Sequence, residues 1–362
     1  MQNSSPNPSQ LSLRTRVLRG LLAEKKVDAI VLSSLVNIRY YTAFTGSNAL
    51  LLVDGKGLRL FTDPRYTTQA KEQVSCPVTV AKGPLLKALE TKAKALKYKK
   101  IGFEDARASY GFSKALSAMG KLVPLGTSAE RPRWVKSEEE IAAIRASVLL
   151  NSKAFANAMK RFKPGIREKD LATEIDYQQR KLGAEGPAFD TIVASGAHSA
   201  LPHASPRDAK IEPGGFLLID MGACLHGYMS DMTRTLGVGT MPEQAIRMYE
   251  AVLESQLDAL AAIRPGRTAA DIHAAAVKAL KRHKLDKLFV HSTGHGLGLE
   301  IHEAPRLGKA DQTVLEAGMA ITVEPGVYQP GFGGVRIEDT VIVTESGVEI
   351  LTPTPKGWTI VG

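Results

Sequence analysis

Between residues 11 and 128 the apolar positions switch repeatedly between two periods. LSLRTRVLRGLLAEKK spaces them as one face of a helix, whereas DAIVLSS, ALLLVDGKGLRLFT and KIGFED carry the compact runs of strands, the second folded back at DGKG. This alternation predicts a small α/β domain over 11–130, preceded by a disordered polar tail at 1–10. GTSAERPRW (126–134) breaks the pattern, so the domain boundary is expected near Arg131 to Arg133. KSEEEIAAIRASVLLNSKAFANAMKRF then opens a long helix with acids in its first turn, where the helix dipole favours them.

From 134 to 362 the order of elements repeats. A long helix ends in KPG (163–165) and a second, IREKDLATEIDYQQRKLG, follows; about a hundred residues later another ends in RPG (264–266) and RTAADIHAAAVKALKRH follows. Each helix pair is succeeded by a histidine-bearing loop, SALPHASP with His203 and LEIHEAP with His302, and then by a strand-turn-strand carrying two acids. The first hairpin holds Asp220 and Asp231, the second Glu324 and Glu338. Two similar halves facing each other across a pseudo-two-fold axis fit this period better than a solenoid, and such an axis would bring the acidic hairpins together.

Composition adds limits. With 362 residues and 44% hydrophobic content, two domains are expected. MQNSSPNPSQ has no apolar signal region and no run of about 18 apolar residues occurs, so a cytoplasmic protein that neither enters nor crosses a membrane is expected. Cys76 and Cys224 have no metal-ligand spacing and read as reduced, packed thiols. The net charge of +10 resides in residues 1–133, with 22 Lys and Arg against 9 Asp and Glu, while the remainder has 25 against 28. The lysine run TKAKALKYKK reads as a solvated helix end; without interleaved aromatics it gives no ground for a nucleic-acid partner.

The acids carry the chemistry. If the first hairpin pivots between Leu225 and His226, Asp220 and Asp231 stand directly opposite, with Cβ atoms about 5 Å apart. Glu324 and Glu338 pivot on Gly331 and obey the same rule. Four carboxylates converging in an apolar site repel one another and lose hydration unless cations are present. Two divalent ions would balance them and leave room for a water between, which points to a dinuclear hydrolytic site. A histidine should complete it, and HSTGHGLGLEIHE offers His291, His295 and His302. The i, i+4 spacing of the first two resembles a helical metal pair, but Gly294, Gly296 and Gly298 argue against a helix, and Arg306 stands where an HExxH motif would need its second histidine.

IDMGACLHGYMSDMTRT, HSTGHGLGLEIHEAP, VEPGVY and GGVRIEDT, in this order, resemble the signatures of the proline-specific metallopeptidases of the pita-bread fold, Xaa-Pro dipeptidase (prolidase) and aminopeptidase P. NIRYYTAFTGSNALLLV with FTDPRY is similar to the creatinase-like N-terminal domain that accompanies them. The resemblance implies an α+β pita-bread catalytic domain over 134–362 and metal ligands Asp220, Asp231, His295, Glu324 and Glu338, with Asp231 and Glu338 contacting both ions. It further implies Glu324 as proton shuttle, His203 and His302 as catalytic histidines that bind the scissile carbonyl and its oxyanion, and His291 as a further substrate-side histidine. Arg306 would meet the substrate carboxylate and Arg336 would orient the carboxylates from behind. One imidazole with four carboxylates suits Mn²⁺ or Co²⁺ better than Zn²⁺, which remains possible. Xaa-Pro dipeptides are the expected substrates, longer Xaa-Pro peptides the alternative, and a homodimer the implied assembly. Tyr66 and Tyr228 read as packing residues, although Tyr66 could line a neighbouring subunit's site. A pita-bread protein that binds partners without catalysis is the competitor of another class, against which the retained ligand set speaks.

Overall fold

The computed structural model describes residues 8–362, and the chain forms two compact units, the first ending at Arg133 and the second spanning Trp134–Gly362. The polar tail expected over 1–10 lies outside the described residues as far as residue 7; Pro8 to Gln10 begin the first helix.

In the first unit the helices are α1 (Pro8–Glu24), α2 (Leu35–Thr42), α3 (Thr67–Gln73), α4 (Leu85–Leu96) and α5 (Tyr110–Ser117). The strands are β1 (Ala29–Leu32), β2 (Ala49–Asp54), β3 (Gly57–Thr62), β4 (Val78–Val80), β5 (Lys100–Phe103) and β6 (Lys121–Pro124). They form one mixed sheet in the order β4-β3-β2-β1-β5-β6. β2 and β3 meet through the anticipated DGKG turn, with Asp54 opposite Gly57. β1 is buried at all four positions, which is why it reads as a continuous apolar run rather than an alternating one. The lysine run is a solvated helix end: α4 stops at Leu96 and Lys97 turns left-handed, with Lys94, Lys97 and Lys99 exposed.

The second unit repeats itself in backbone detail. Helices α6 (Glu138–Met159) and α7 (Glu168–Lys181) recur as α8 (Glu243–Ala262) and α9 (Ala269–Arg282). A capping box of Ser137 and Glu140 starts α6, and one of Thr268 and Asp271 starts α9. Gly165 N donates to Ile211 O in the first copy and Gly266 N to Leu315 O in the second; Glu168 N donates to Ala209 O and Ala269 N to Thr313 O. The KPG and RPG turns place Gly165 at φ 88° and Gly266 at φ 86°. Each helix pair packs on its own sheet. Ala154, Leu171 and Ile175 bury against Val193, Leu217 and Ile219, and Leu260, Ile272 and Ala276 bury against Ile321, Val323 and Val341.

The two hairpins that carry the acids differ in how well their pairing can be anticipated. In the second, Ala320 to Val323 pair with Ile342 to Asp339 and Gly326 to Gln329 with Arg336 to Gly333, all on the expected register, so Glu324 and Glu338 stand opposite each other between the two ladders. The first departs from expectation. Asp220 pairs with Thr233 rather than Asp231, because the turn pivots between His226 and Gly227. Both turn residues are left-handed, φ 52° and 76°, as a two-residue type I′ turn requires, and a glycine meets that requirement at least cost. The pivot moves by one residue and the pairing by two, so Asp231 keeps its face of the sheet and becomes a diagonal neighbour of Asp220.

The halves join where these hairpins touch. Glu338 N donates to Thr233 O, Thr340 Oγ1 to Asp231 O, and Thr235 Oγ1 to Arg336 O. Arg234, buried, clamps the join by donating to Thr233 O and to the Asp339 carboxylate, 2.8 Å away.

At Gly165 and Gly266 no neighbouring atom would touch a Cβ, so the cost of substitution is conformational alone. Gly165→Ala and Gly266→Ala should each lower unfolding free energy by about 1–2 kcal/mol, by similar amounts in the two copies, as measured by urea denaturation.

Candidate metal centre

The seam collects side chains from both halves. Asp220 ends the strand Phe216–Met221, Asp231 precedes the strand Met232–Val238, His295 opens a two-residue strand, and Glu324 and Glu338 interrupt the second hairpin. The GHGLG glycines are there because the backbone crowds: a Cβ at Gly294 would lie 2.0 Å from Thr322 O, and one at Gly296 would lie 2.3 Å from Ala304 O. A helix carrying His291 and His295 could not approach the neighbouring strand so closely. His295 Nε2 lies 3.6 Å from Asp231 Oδ2 and 3.5 Å from Glu324 Oε1. Ligand atoms of Asp231, His295 and Glu338 all fall within 4.8 Å of one another, a spacing able to hold a metal ion.

Three buried carboxylate oxygens, Asp220 Oδ1, Asp231 Oδ1 and Glu338 Oε1, accept no hydrogen bond. The second oxygens of Asp220 and Glu338 are held. Arg336 donates to Asp220 Oδ2 at 2.6 Å, and Thr233 Oγ1 donates to Glu338 Oε2 at 2.7 Å while accepting from Arg336 Nε at 3.0 Å. Buried acceptors are rarely left bare. Bare oxygens on acids grouped beside an imidazole fit divalent cations. Burial, and then the charges of the neighbouring acids, push Asp231 and Glu338 well above the usual carboxylate range. Burial raises Glu324 to about 7 although Arg336 opposes it. Burial also lowers His295, keeping its ring neutral and able to ligate.

Around this centre the remaining residues differ. His302 is exposed, its ring 4.4 Å from that of His295, and His203 is exposed on its loop. His291 has both nitrogens engaged, Nδ1 at 2.8 Å from Ser292 O and Nε2 at 2.8 Å from the Tyr328 hydroxyl. A carbonyl only accepts, so Nδ1 carries the proton. Burial and the nearby Arg336 hold the ring neutral, with its acidity at about 3. Tyr328 therefore donates to Nε2 and accepts from Arg336 Nη1 at 2.6 Å. This hydroxyl was not singled out from the sequence; its place in VEPGVY, four residues from Glu324, was the available signal. Arg306 is exposed at the edge of an open cleft of about 840 Å³ that also takes in His291 and Lys309. Tyr228 is buried and donates to Glu140, while Tyr66 bonds Ser47 at 2.5 Å, and neither cysteine forms a disulfide.

Residues 142–345 match the model of metallopeptidase family M24, and 14–135 match the creatinase/prolidase N-terminal domain. A Xaa-Pro dipeptidase of Pyrococcus furiosus is 38% identical over 95% of this chain and 98% of its own length. Among solved structures, a Xaa-Pro dipeptidase from Bacillus anthracis superposes with TM-score 0.94 at 37% identity, covering 97% of this chain and 100% of that one. A X-Pro aminopeptidase from Thermotoga maritima gives TM-score 0.88 at 34% identity, covering 96% and 100%.

Carboxyls whose folded acidity lies above the unfolded value stabilise the fold while protonated, and that contribution is lost as pH rises through the folded value. Chelator-treated protein should therefore lose stability between the ordinary 4.5 of a glutamate and the value of about 7 held by Glu324. Calorimetric midpoints between pH 5 and 8 should fall for the metal-free protein and flatten when a divalent ion is added. A rise over that interval in the chelated protein would contradict the buried-acid picture.

Proposed function

The chain belongs to metallopeptidase family M24, and from that premise we propose that it hydrolyses the Xaa-Pro bond of dipeptides at a pair of divalent cations. The ligands in this reading are Asp220, Asp231, His295, Glu324 and Glu338. The observation that carries it is the set of bare, buried oxygens on Asp220, Asp231 and Glu338, with Asp231 and Glu338 grouped beside the neutral ring of His295 at metal-holding distance. Bound there, divalent ions would supply Lewis acidity and a water acidic enough to attack a carbonyl near neutral pH.

The protein groups divide the remaining work. Glu324 can take a proton from the attacking water and deliver it to the departing proline nitrogen. His203 and His302, solvent-facing at the rim, are suited to hold the scissile carbonyl and its developing oxyanion. Arg336 fixes Asp220 directly and Glu338 through Thr233. His291, with both nitrogens occupied, supports Tyr328 and Arg336 in this reading and leaves the substrate to others. Arg306 is suited to meet the carboxylate of a dipeptide. Oxygen-rich ligation favours Mn²⁺ or Co²⁺, and two cysteines outside any disulfide agree with a reducing cytoplasm. No described helix is long and apolar enough to cross a membrane. A homodimer is part of the same proposal. The open cleft beside Arg306 favours a second reading, removal of the first residue from longer Xaa-Pro peptides.

Purified protein should cleave an Xaa-Pro dipeptide, lose turnover on chelation and regain it with Mn²⁺ or Co²⁺, while Asp231→Ala should abolish both metal uptake and turnover. Undiminished turnover in metal-stripped protein would sink the proposal, and faster cleavage of an Xaa-Pro tripeptide would favour the second reading. Arg306→Met should raise KM for the dipeptide about 10-fold to 100-fold, the value of a charge-assisted hydrogen bond, with a smaller change in kcat.

A further inference from the structure

The loop that carries His203 is closed at its base by one side chain. Glu168, the first residue of α7, has a side chain with no solvent exposure, and its carboxylate receives hydrogen bonds from both ends of the stretch 195–207. On one side Ser195 donates its backbone amide at 2.9 Å and its hydroxyl at 2.7 Å. On the other, Arg207 donates its amide at 2.9 Å, Nε at 3.1 Å and Nη2 at 2.9 Å. His198 Nδ1 lies 3.2 Å away, inside the loop. Two carboxylate oxygens offer about four lone pairs, so this group is saturated, and every donor comes from the loop or its two ends.

The other copy of the fold shows what this carboxylate replaces. There the two ends of the stretch bearing His302 pair directly through their backbones: Thr293 N donates to Leu307 O and Leu307 N to Gly294 O, each at 2.8 Å. The residue equivalent to Glu168 by the shared α7 and α9 hydrogen bonds is Ala269, which has nothing to offer. In the first copy the amides of Ser195 and Arg207 turn to a carboxylate instead of to each other. The far side of the same loop is tied to the second hairpin, where Gly334 N donates to Ser199 Oγ at 2.9 Å and Arg336 Nη1 to Pro202 O at 3.2 Å. His203 follows directly on Pro202.

We propose that Glu168 is a positioning residue for the reaction, a carboxylate buckle that fixes the His203 loop over the metal centre in place of the strand pairing used by the other half. The proposal rests on the reading of His203 as a substrate-contacting group. Glu168→Gln keeps the shape but sets an amide donor against the donors of Arg207. Arg207→Met opens only one end: the Arg207 side chain is about half exposed, at 48%, and Glu168 keeps the Ser195 amide and hydroxyl and the Arg207 amide as donors.

The test combines turnover with hydrogen exchange, on metal-loaded full-length protein. E168Q and R207M should each lower kcat/KM for an Xaa-Pro dipeptide, on the order of 10-fold for a displaced contact, with metal content unchanged. In a His203→Ala background the same substitutions should cost nothing further, since they act through that ring. Exchange, read without substrate, should quicken selectively at amides 196–206. Additive losses in the double variants, or unaltered protection of 196–206, would overturn the proposal. A wild-type chain with no turnover of Xaa-Pro peptides would instead sink the functional reading, while the exchange measurement still decides whether Glu168 holds the loop. Should E168Q fail to fold, R207M carries the same comparison.

Discussion

Everything at the seam follows from the cost of packing acids together away from water. Asp231 and Glu338 are at most 5% exposed, and burial, followed by the charges of neighbouring acids, raises their proton affinity and that of Glu324. A cluster of this kind is tolerated only if positive charge is nearby. Arg336 provides some of it, bound to Asp220 and supported by Tyr328, but it faces one side only. The oxygens left bare on the other side mark where the balance has to come from outside the chain.

The scaffold makes this arrangement from two inexpensive parts. Each copy of the helix-pair and hairpin unit is an ordinary amphipathic assembly with its own apolar core. Neither would bury its acids if it stood alone. The Thr233 to Glu338 backbone bond and the Arg234 clamp bring the two hairpins into register, and the acidic cluster is a consequence of that contact.

Much of this is legible in the chain because the signals are local. The helix pairs announce themselves through their periodicity and the KPG and RPG turns, and the register of the second hairpin follows from a symmetric pivot on Gly331. The first hairpin was misplaced by two positions because LHGY offers more than one pivot, and only turn geometry selects the pair His226 and Gly227. Short β4 and β6 carry too few residues to display alternation. Glu168 looks like any acid in the first turn of a helix, and Tyr328 like any aromatic on a strand; their roles depend on residues 27 to 39 positions away, or on a neighbouring loop, which no periodicity encodes. Among three candidate histidines, proximity in space singles out His295 as the ring beside the acids.

The duplicated plan has a further consequence along its line of contact. Away from the seam, each copy packs its helices mainly on its own sheet, so a change in either apolar core is met mostly within that copy. At the seam a change in either copy is felt by both, since Thr233 of one holds the carboxylate of Glu338 in the other and Arg336 reaches back to Asp220. A substitution on that line has to suit both copies at once, because the groups it disturbs are shared between them.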